Sequence, residues 1–224
     1  MAKRPLRDKE EPLTITQKKI LLVEGSDDVN FFKPMFTEKN IATIQIIPME
    51  GKYNLKTLIN DLKGIAGYAD VNAILILRDS DKSAKSESQS INSALKSTGL
   101  IDKDIEPFTI KEFNGKQIGF MLFPGYDDSG NLCETGAIED LCLRILTDQP
   151  VAKQVGEYFA DFLKDKTRTL SHENKNRLHA TFSFTNKYVG KKIKDVANVN
   201  SFDFNSQYLV PFLDIIKRIE LVGE

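Results

Sequence analysis

Two acidic signatures in this 224-residue chain have the residue types and spacing for chemistry. Glu24-Gly25 follows the apolar run Ile20-Leu21-Leu22-Val23, and Asp79-Ser80-Asp81 follows Asn72-Ala73-Ile74-Leu75-Ile76-Leu77-Arg78. On a strand, residues two apart share a face. If strand geometry persists to Asp81, Asp79 and Asp81 point the same way. Carboxylates held together repel unless something cationic lies between them. A hard divalent cation such as Mg²⁺ takes oxygen ligands of this kind. Lys52 follows Gly51 at the start of a predicted helix, where a lysine gains nothing from the helix dipole. It either offers its ammonium to a phosphate or to the carboxylates, or faces solvent. Glu139 is the next carboxylate, with Glu134 as a rival for the same role.

The elements that must position these groups follow from hydrophobic pattern. A short, branched apolar run bounded by turn residues reads as a buried strand. That places Glu24 at the carboxyl end of a central strand, the edge where ligands bind in open α/β sheets. Gly25 lets the backbone turn sharply there. Ser26 or Asp27 then caps a helix in which Val29, Phe32, Met35 and Phe36 recur at helical spacing. Residues 42–48 read as a second strand, and Leu55, Leu58, Ile59, Leu62 and Ile65 as one helical stripe. A buried strand ends at the Asp-x-Asp. Residues 82–90 read as a polar loop beside the site, gating substrate or merely solvated, with a helix from about Ser88. Asn114-Gly115 between residues 108–113 and 116–123 is a hairpin signal. Asp127 and Asp128 lie in a turn-rich loop, either reaching the site or serving the turn. After Gly136, Ile138, Leu141, Cys142 and Ile145 form a stripe with Glu139 beside it, and Asp140 points to solvent.

Leu22-Val23-Glu24-Gly25 and Leu77-Arg78-Asp79-Ser80-Asp81, each ending a strand, resemble the Toprim domain of topoisomerases, primases and related nucleases. Gly51-Lys52 resembles the Gly-Lys step of the overcoming-lysogenization-defect nucleases. Residues 136–143 resemble a signature of a stand-alone Toprim-related family. The resemblance spans residues 18–146. It implies a Toprim-like (Rossmann-like) α/β fold with a mostly parallel sheet flanked by helices, an added β-hairpin and a helical C-terminal region. It implies phosphodiester cleavage with Mg²⁺ or Mn²⁺, held by Glu24, Asp79, Asp81 and Glu139, with Glu24 alternatively a general acid/base and Lys52 beside it. No tyrosine lies near the Glu-Gly or Asp-x-Asp motif to act as a covalent nucleophile, and no Gly-x-x-x-x-Gly-Lys phosphate loop is present. A nuclease is therefore expected before a topoisomerase or primase. The alternative is a module that binds nucleotide or nucleic acid through metal without cleaving it, beside a protein partner.

Composition is that of a globular chain, 41% hydrophobic and 28% charged, with a formal net charge of −1. The near-neutral total hides a polarity. Residues 126–148 carry six acids against one arginine, and residues 164–194 carry nine Lys or Arg against two acids. An acidic centre suits a divalent cation, and a basic flank suits DNA or RNA phosphate. Lys175, Arg177, Lys191 and Lys192 are the candidate phosphate contacts; a plain solvated face explains the run equally well. His172 and His179 read as surface or core-edge residues. Cys133 and Cys142 give no disulfide framework, no apolar run is long enough to span a membrane, and a reducing cytoplasm is the expected setting. Residues 1–16 read as a solvated arm, 17–148 as the α/β domain, and 149–224 as a helical region packed on it. The last helix, with Leu209, Phe212, Leu213, Ile216 and Ile219, packs on the sheet or on a second copy.

Overall fold

The computed structural model describes residues 13–165, 173–185, 188–198 and 201–222. Most of the arm (1–12), His172, Lys187 and part of the basic run lie outside these residues. Among them, five strands form one sheet: β1 (Lys19–Val23), β2 (Ile44–Pro48), β3 (Ala73–Asp79), β4 (Thr109–Phe113) and β5 (Lys116–Phe123). The spatial order is β2-β1-β3-β5-β4. The β1–β2, β1–β3 and β3–β5 pairs are parallel, and β4 is an antiparallel edge strand. The hairpin closes through Asn114 and Gly115, both at positive φ, as a two-residue turn of matched twist requires. This is the expected Rossmann-like α/β fold.

Chain order reverses direction across the sheet between β1 and β3. The carboxyl ends of those two strands therefore flank a crevice. Val23 pairs with Leu77 in the register, so Glu24 and Arg78-Asp79 emerge side by side.

Alternation along the strands sorts the core onto two faces. Leu21, Val23, Leu75, Leu77, Met121 and Phe123 face one way, toward α1 (Ser26–Glu38), α4 (Ile138–Ile145), α7 (Ile193–Ala197) and α8 (Val210–Glu220). Ile20, Leu22, Ile74, Ile76, Ile118, Phe120 and Leu122 face the other way, toward α2 (Leu55–Lys63) and α3 (Ala84–Ser97). Phe31 is the hub of the first face, packing on Phe32, Phe123, Phe202 and Phe204 with centroids 5.4–6.5 Å apart. Leu178 and Phe182 of α6 (Glu173–Ser183) join the same cluster. The described part of residues 149–224, including α5 (Gln149–Phe162), shares this core rather than building its own. Phe212 of α8 packs on Phe123 and Phe108, so the last helix covers the sheet of its own chain.

Two local expectations are corrected. Residues 84–90 are helical, not a loop, because Ser83 caps α3 by accepting from Ser86 N–H at 3.3 Å. Gly25 sits at φ −152°, extended backbone that any residue adopts, and a Cβ there would meet nothing within 4 Å. Its contribution is open space in front of Glu24, not a special turn.

Candidate functional site

Glu24 leaves β1 at the crevice, with its backbone carbonyl accepting from Gly51 N–H at 2.9 Å. That bond ties the Gly51-Lys52 connection to the end of β1. Gly51 has φ +111°, a conformation side-chain-bearing residues rarely adopt, so glycine is needed to bring Lys52 over the crevice.

Asp79 is the last residue of β3. Its Oδ1 accepts from Ile138 N–H at the start of α4, at 3.0 Å. Asp28, in the first turn of α1, accepts from Gly25 N–H at 2.8 Å and is 6% exposed. Burial pushes the Asp28 carboxyl up to about 7, with Glu24, Asp27 and Glu139 adding repulsion against the Gly25 hydrogen bond. Burial, then Asp28, Glu24 and Glu139, drive Asp79 well above the usual carboxylate range. Burial also raises Glu24; Arg78 and Lys52 oppose that rise and Asp81 adds to it. Carboxylates that perturb one another in a crevice mark a candidate site.

Asp81 departs from the expectation. The strand ends at Asp79, and Asp81 has φ +49°. Its backbone pairs with Gly136 on both sides, Asp81 N–H to Gly136 C=O at 2.9 Å and the reverse at 3.0 Å. Gly136 permits this approach at φ +129°, where a Cβ would meet Pro124 at 2.8 Å. The alternation that would align Asp81 with Asp79 is therefore broken. The Asp81 carboxylate instead accepts from Lys52 Nζ.

The result is a two-sided site around Glu24. On the α3 side an alternating series of charges runs Asp81, Lys52, Glu87, Arg78, Glu24. Lys52 Nζ lies 3.5 Å from Glu87 Oε1, and Arg78 donates to Glu87 Oε2. Arg78 is 2% exposed, and its Nε stands 4.0 Å from Glu24 Oε2, too far for a hydrogen bond. Both atoms are buried without a hydrogen-bond partner. On the other side Lys175 of α6 lies 3.7 Å from Glu139 and 3.9 Å from Asp27. Among the described residues, no three His, Cys, Asp or Glu side chains are drawn together tightly enough to hold a metal ion.

The structure brings Glu24, Asp79 and Glu139 to one crevice, with Lys52 and Asp81 on its flank. Lys175 joins them from the basic segment. Arg177 instead packs against α5, where a Cβ on Gly156 would lie 3.0 Å from its Nη2. Lys191 and Lys192 are exposed ahead of α7, their backbone N–H groups bonded to Tyr188 and Asp195. Asp127 serves its own turn, accepting from Ser129 and Asn131. Asp128 accepts from Tyr208 at 2.5 Å. Glu134 accepts from Ser83 at the start of α3, away from the role held open for it. Asp140 is not a solvent residue: it accepts from Ala137 N–H and from Asn174 of α6, at 2.9 and 2.8 Å.

Sequence reasoning missed Asp28, Arg78 and Glu87. Asp28 precedes Phe31 and Phe32 by three and four positions, and Glu87 precedes Ile91 by four. Helical spacing therefore put each acid on a buried stripe, which was the available signal.

A family model described as protein of unknown function (DUF3226) matches residues 18–221. The chain belongs to this family. Among solved structures, the C-terminal region of the Xanthomonas campestris pv. campestris OLD protein is similar over 93% of this chain and 98% of that one, at 14% identity and a TM-score of 0.43. Comparison with curated proteins gives no match. Among the described residues, no helix is long and apolar enough to cross a membrane. The DUF3226 match covers the α/β sheet, the crevice carboxylates and the helices behind them, and its description names no Toprim domain.

Proposed function

We propose that this member of the family is a Mg²⁺- or Mn²⁺-dependent phosphodiester hydrolase acting on nucleic acid. The observation that carries the reading is the buried Glu24 Oε2, without a hydrogen-bond partner, among Asp28, Asp79 and Glu139 at the carboxyl edge of β1 and β3. An all-oxygen donor set of mutually repelling carboxylates fits a hard divalent cation. Glu24, Asp79 and Glu139 would hold it, with Asp28 supporting and Asp81 joining once Lys52 lets go. Such an ion supplies charge stabilisation at the phosphoryl oxygens and acidifies the attacking water.

The chain's own groups complete the reaction. In its alternative role, off the metal, Glu24 accepts the proton of the attacking water. The water oxygen bonds to phosphorus, and the ester P–O bond breaks. Lys52 Nζ gives a proton to the departing oxygen. Lys175 orients the phosphate from the α6 side, and the open space before Gly25 admits it.

A second reading has its own support. The Lys52–Asp81 ion pair, which ties up both groups, suits a module that binds nucleotide or nucleic acid through metal without turnover, beside a protein partner. Cleavage of single- and double-stranded DNA and RNA with Mn²⁺ and Mg²⁺ separates the two, with Glu24→Ala and Asp79→Ala beside wild type. Cleavage lost in both variants supports the hydrolase. Cleavage that survives them contradicts the site. Metal binding with no cleavage of any substrate favours the module.

A further inference from the structure

We infer that Lys52 and Lys175 are tethered place-holders, each ammonium holding a carboxylate that a divalent cation at Glu24 and Asp79 would recruit, Asp81 for Lys52 and Glu139 for Lys175, and releasing it when the ion arrives. The inference rests on the cation-dependent reading above. Its geometric basis is a repeated arrangement. Each ammonium is shared by two carboxylates from different elements. Lys52 joins Asp81, after β3, to Glu87 of α3. Lys175 joins Asp27 of α1 to Glu139 of α4. The two lysines stand on opposite sides of Glu24 and Asp79, whose carboxyls burial raises.

The arrangement explains why acids that converge on one crevice form no cage. Without a counter-charge these carboxylates repel, and burial compounds the cost. An ammonium relieves that repulsion, yet it is monovalent, and three of these four carboxylates lie 3.5–3.9 Å from their ammonium and are held loosely. A divalent ion beside these carboxylates carries twice the charge and gathers oxygens directly. It therefore competes with the lysine, and part of its binding free energy is spent displacing it.

Each lysine has somewhere to go. Lys52 retains Glu87, which Arg78 holds in place from below. Lys175 is half exposed and swings outward. Both displaced ammoniums stay at the mouth of the crevice, where a phosphate arrives. The metal and the substrate contacts are in this way linked: loading the cation frees the lysines for the phosphodiester.

Removing a place-holder should consequently strengthen metal binding while it weakens substrate handling, whereas a lysine that merely supported the metal ligands would weaken both. The test is a calorimetric Mn²⁺ titration of metal-stripped wild type, Lys52→Met, Lys175→Met and the charge-keeping Lys52→Arg and Lys175→Arg. The Met variants are expected to bind Mn²⁺ about twofold to fivefold more tightly than wild type, the scale of one partly solvated ion pair. The Arg variants stay near wild type. Metal-free melting temperatures fall in the Met variants, and Mn²⁺ restores them. Met variants that bind Mn²⁺ no more tightly than a wild type that does bind it overturn the inference and leave the metal reading standing. Wild type and variants that all fail to bind Mn²⁺ overturn both. Should Lys52→Met not fold, Lys175→Met, at a half-exposed helix position, decides alone.

Discussion

The two ends of the same sheet treat charge in opposite ways. At the amino-terminal end, the buried Lys19 of β1 donates its ammonium to the Glu220 carbonyl. Lys116 of β5 donates to the Val71 carbonyl and lies 4.9 Å above the Tyr68 ring. These cations are spaced apart and each has an acceptor. At the carboxyl end, Glu24, Asp28, Asp79 and Glu139 crowd together, and burial with neighbouring carboxylates raises the Glu24, Asp28 and Asp79 carboxyls. A charge used only to fasten elements is satisfied, because an unsatisfied one is costly. A charge left short of partners costs stability, and persists where the protein does something with it.

The sharpest way to break this contrast is to remove carboxylates. Glu24→Ala and Asp79→Ala are expected to lower Mn²⁺-dependent cleavage on the order of 10³-fold or more, as for groups that act as a unit. Asp79→Asn, which keeps an acceptor for Ile138 N–H, should nonetheless melt no lower than wild type in metal-free buffer at pH 8, since it relieves repulsion. A matching loss of melting temperature would make Asp79 a structural residue like those at the other end.

A core residue should behave the opposite way. Phe31→Ala removes a fully buried ring beneath the site and is expected to cost about 3–5 kcal/mol in urea unfolding. A cost under about 1 kcal/mol would show that the shared core on this face is loosely packed.

Asp28 gives the contrast a pH signature. Its folded-state carboxyl lies near 7, against 3.8 for the ordinary group. A raised carboxyl means that the folded chain binds more protons than the unfolded one, so stability falls as pH rises from about 4 through about 7. The Asp28 contribution is at most about 4 kcal/mol. Metal-free melting temperatures should fall across that window, and Asp28→Asn should flatten the fall. An unchanged slope in the variant would remove Asp28 from the cluster's electrostatics.

The smallest effect belongs to the amino-terminal end. Lys116→Met should cost less than about 1 kcal/mol and leave Mn²⁺ affinity and cleavage unchanged. A change in Mn²⁺ affinity there would mean that the two ends are coupled.

Much of the fold was legible because it depends on pattern. The apolar runs before Glu24 and Asp79 specify β1 and β3, the stripe from Leu55 to Leu62 specifies α2, and Asn114-Gly115 specifies the hairpin. Glu24, Asp79 and Glu139 were legible as ends or flanks of those patterns. What escaped depends on where a pattern stops. Asp81 reads as the partner of Asp79 only while the strand continues, and a left-handed residue ended it. Glu87 was hidden because a Ser- and Lys-rich segment suggests a loop, although Ser83 caps a helix there. Asp28 escaped because its burial comes from the aromatic residues one turn later and from tertiary packing that local sequence does not encode.

The most direct test is the location of Mn²⁺ by anomalous scattering in crystals of this chain soaked with the ion. The account predicts a peak contacting Glu24 and Asp79 at the carboxyl ends of β1 and β3, with Lys52 withdrawn from Asp81. Full-occupancy Mn²⁺ elsewhere, with that crevice empty and Lys52 still on Asp81, would contradict it.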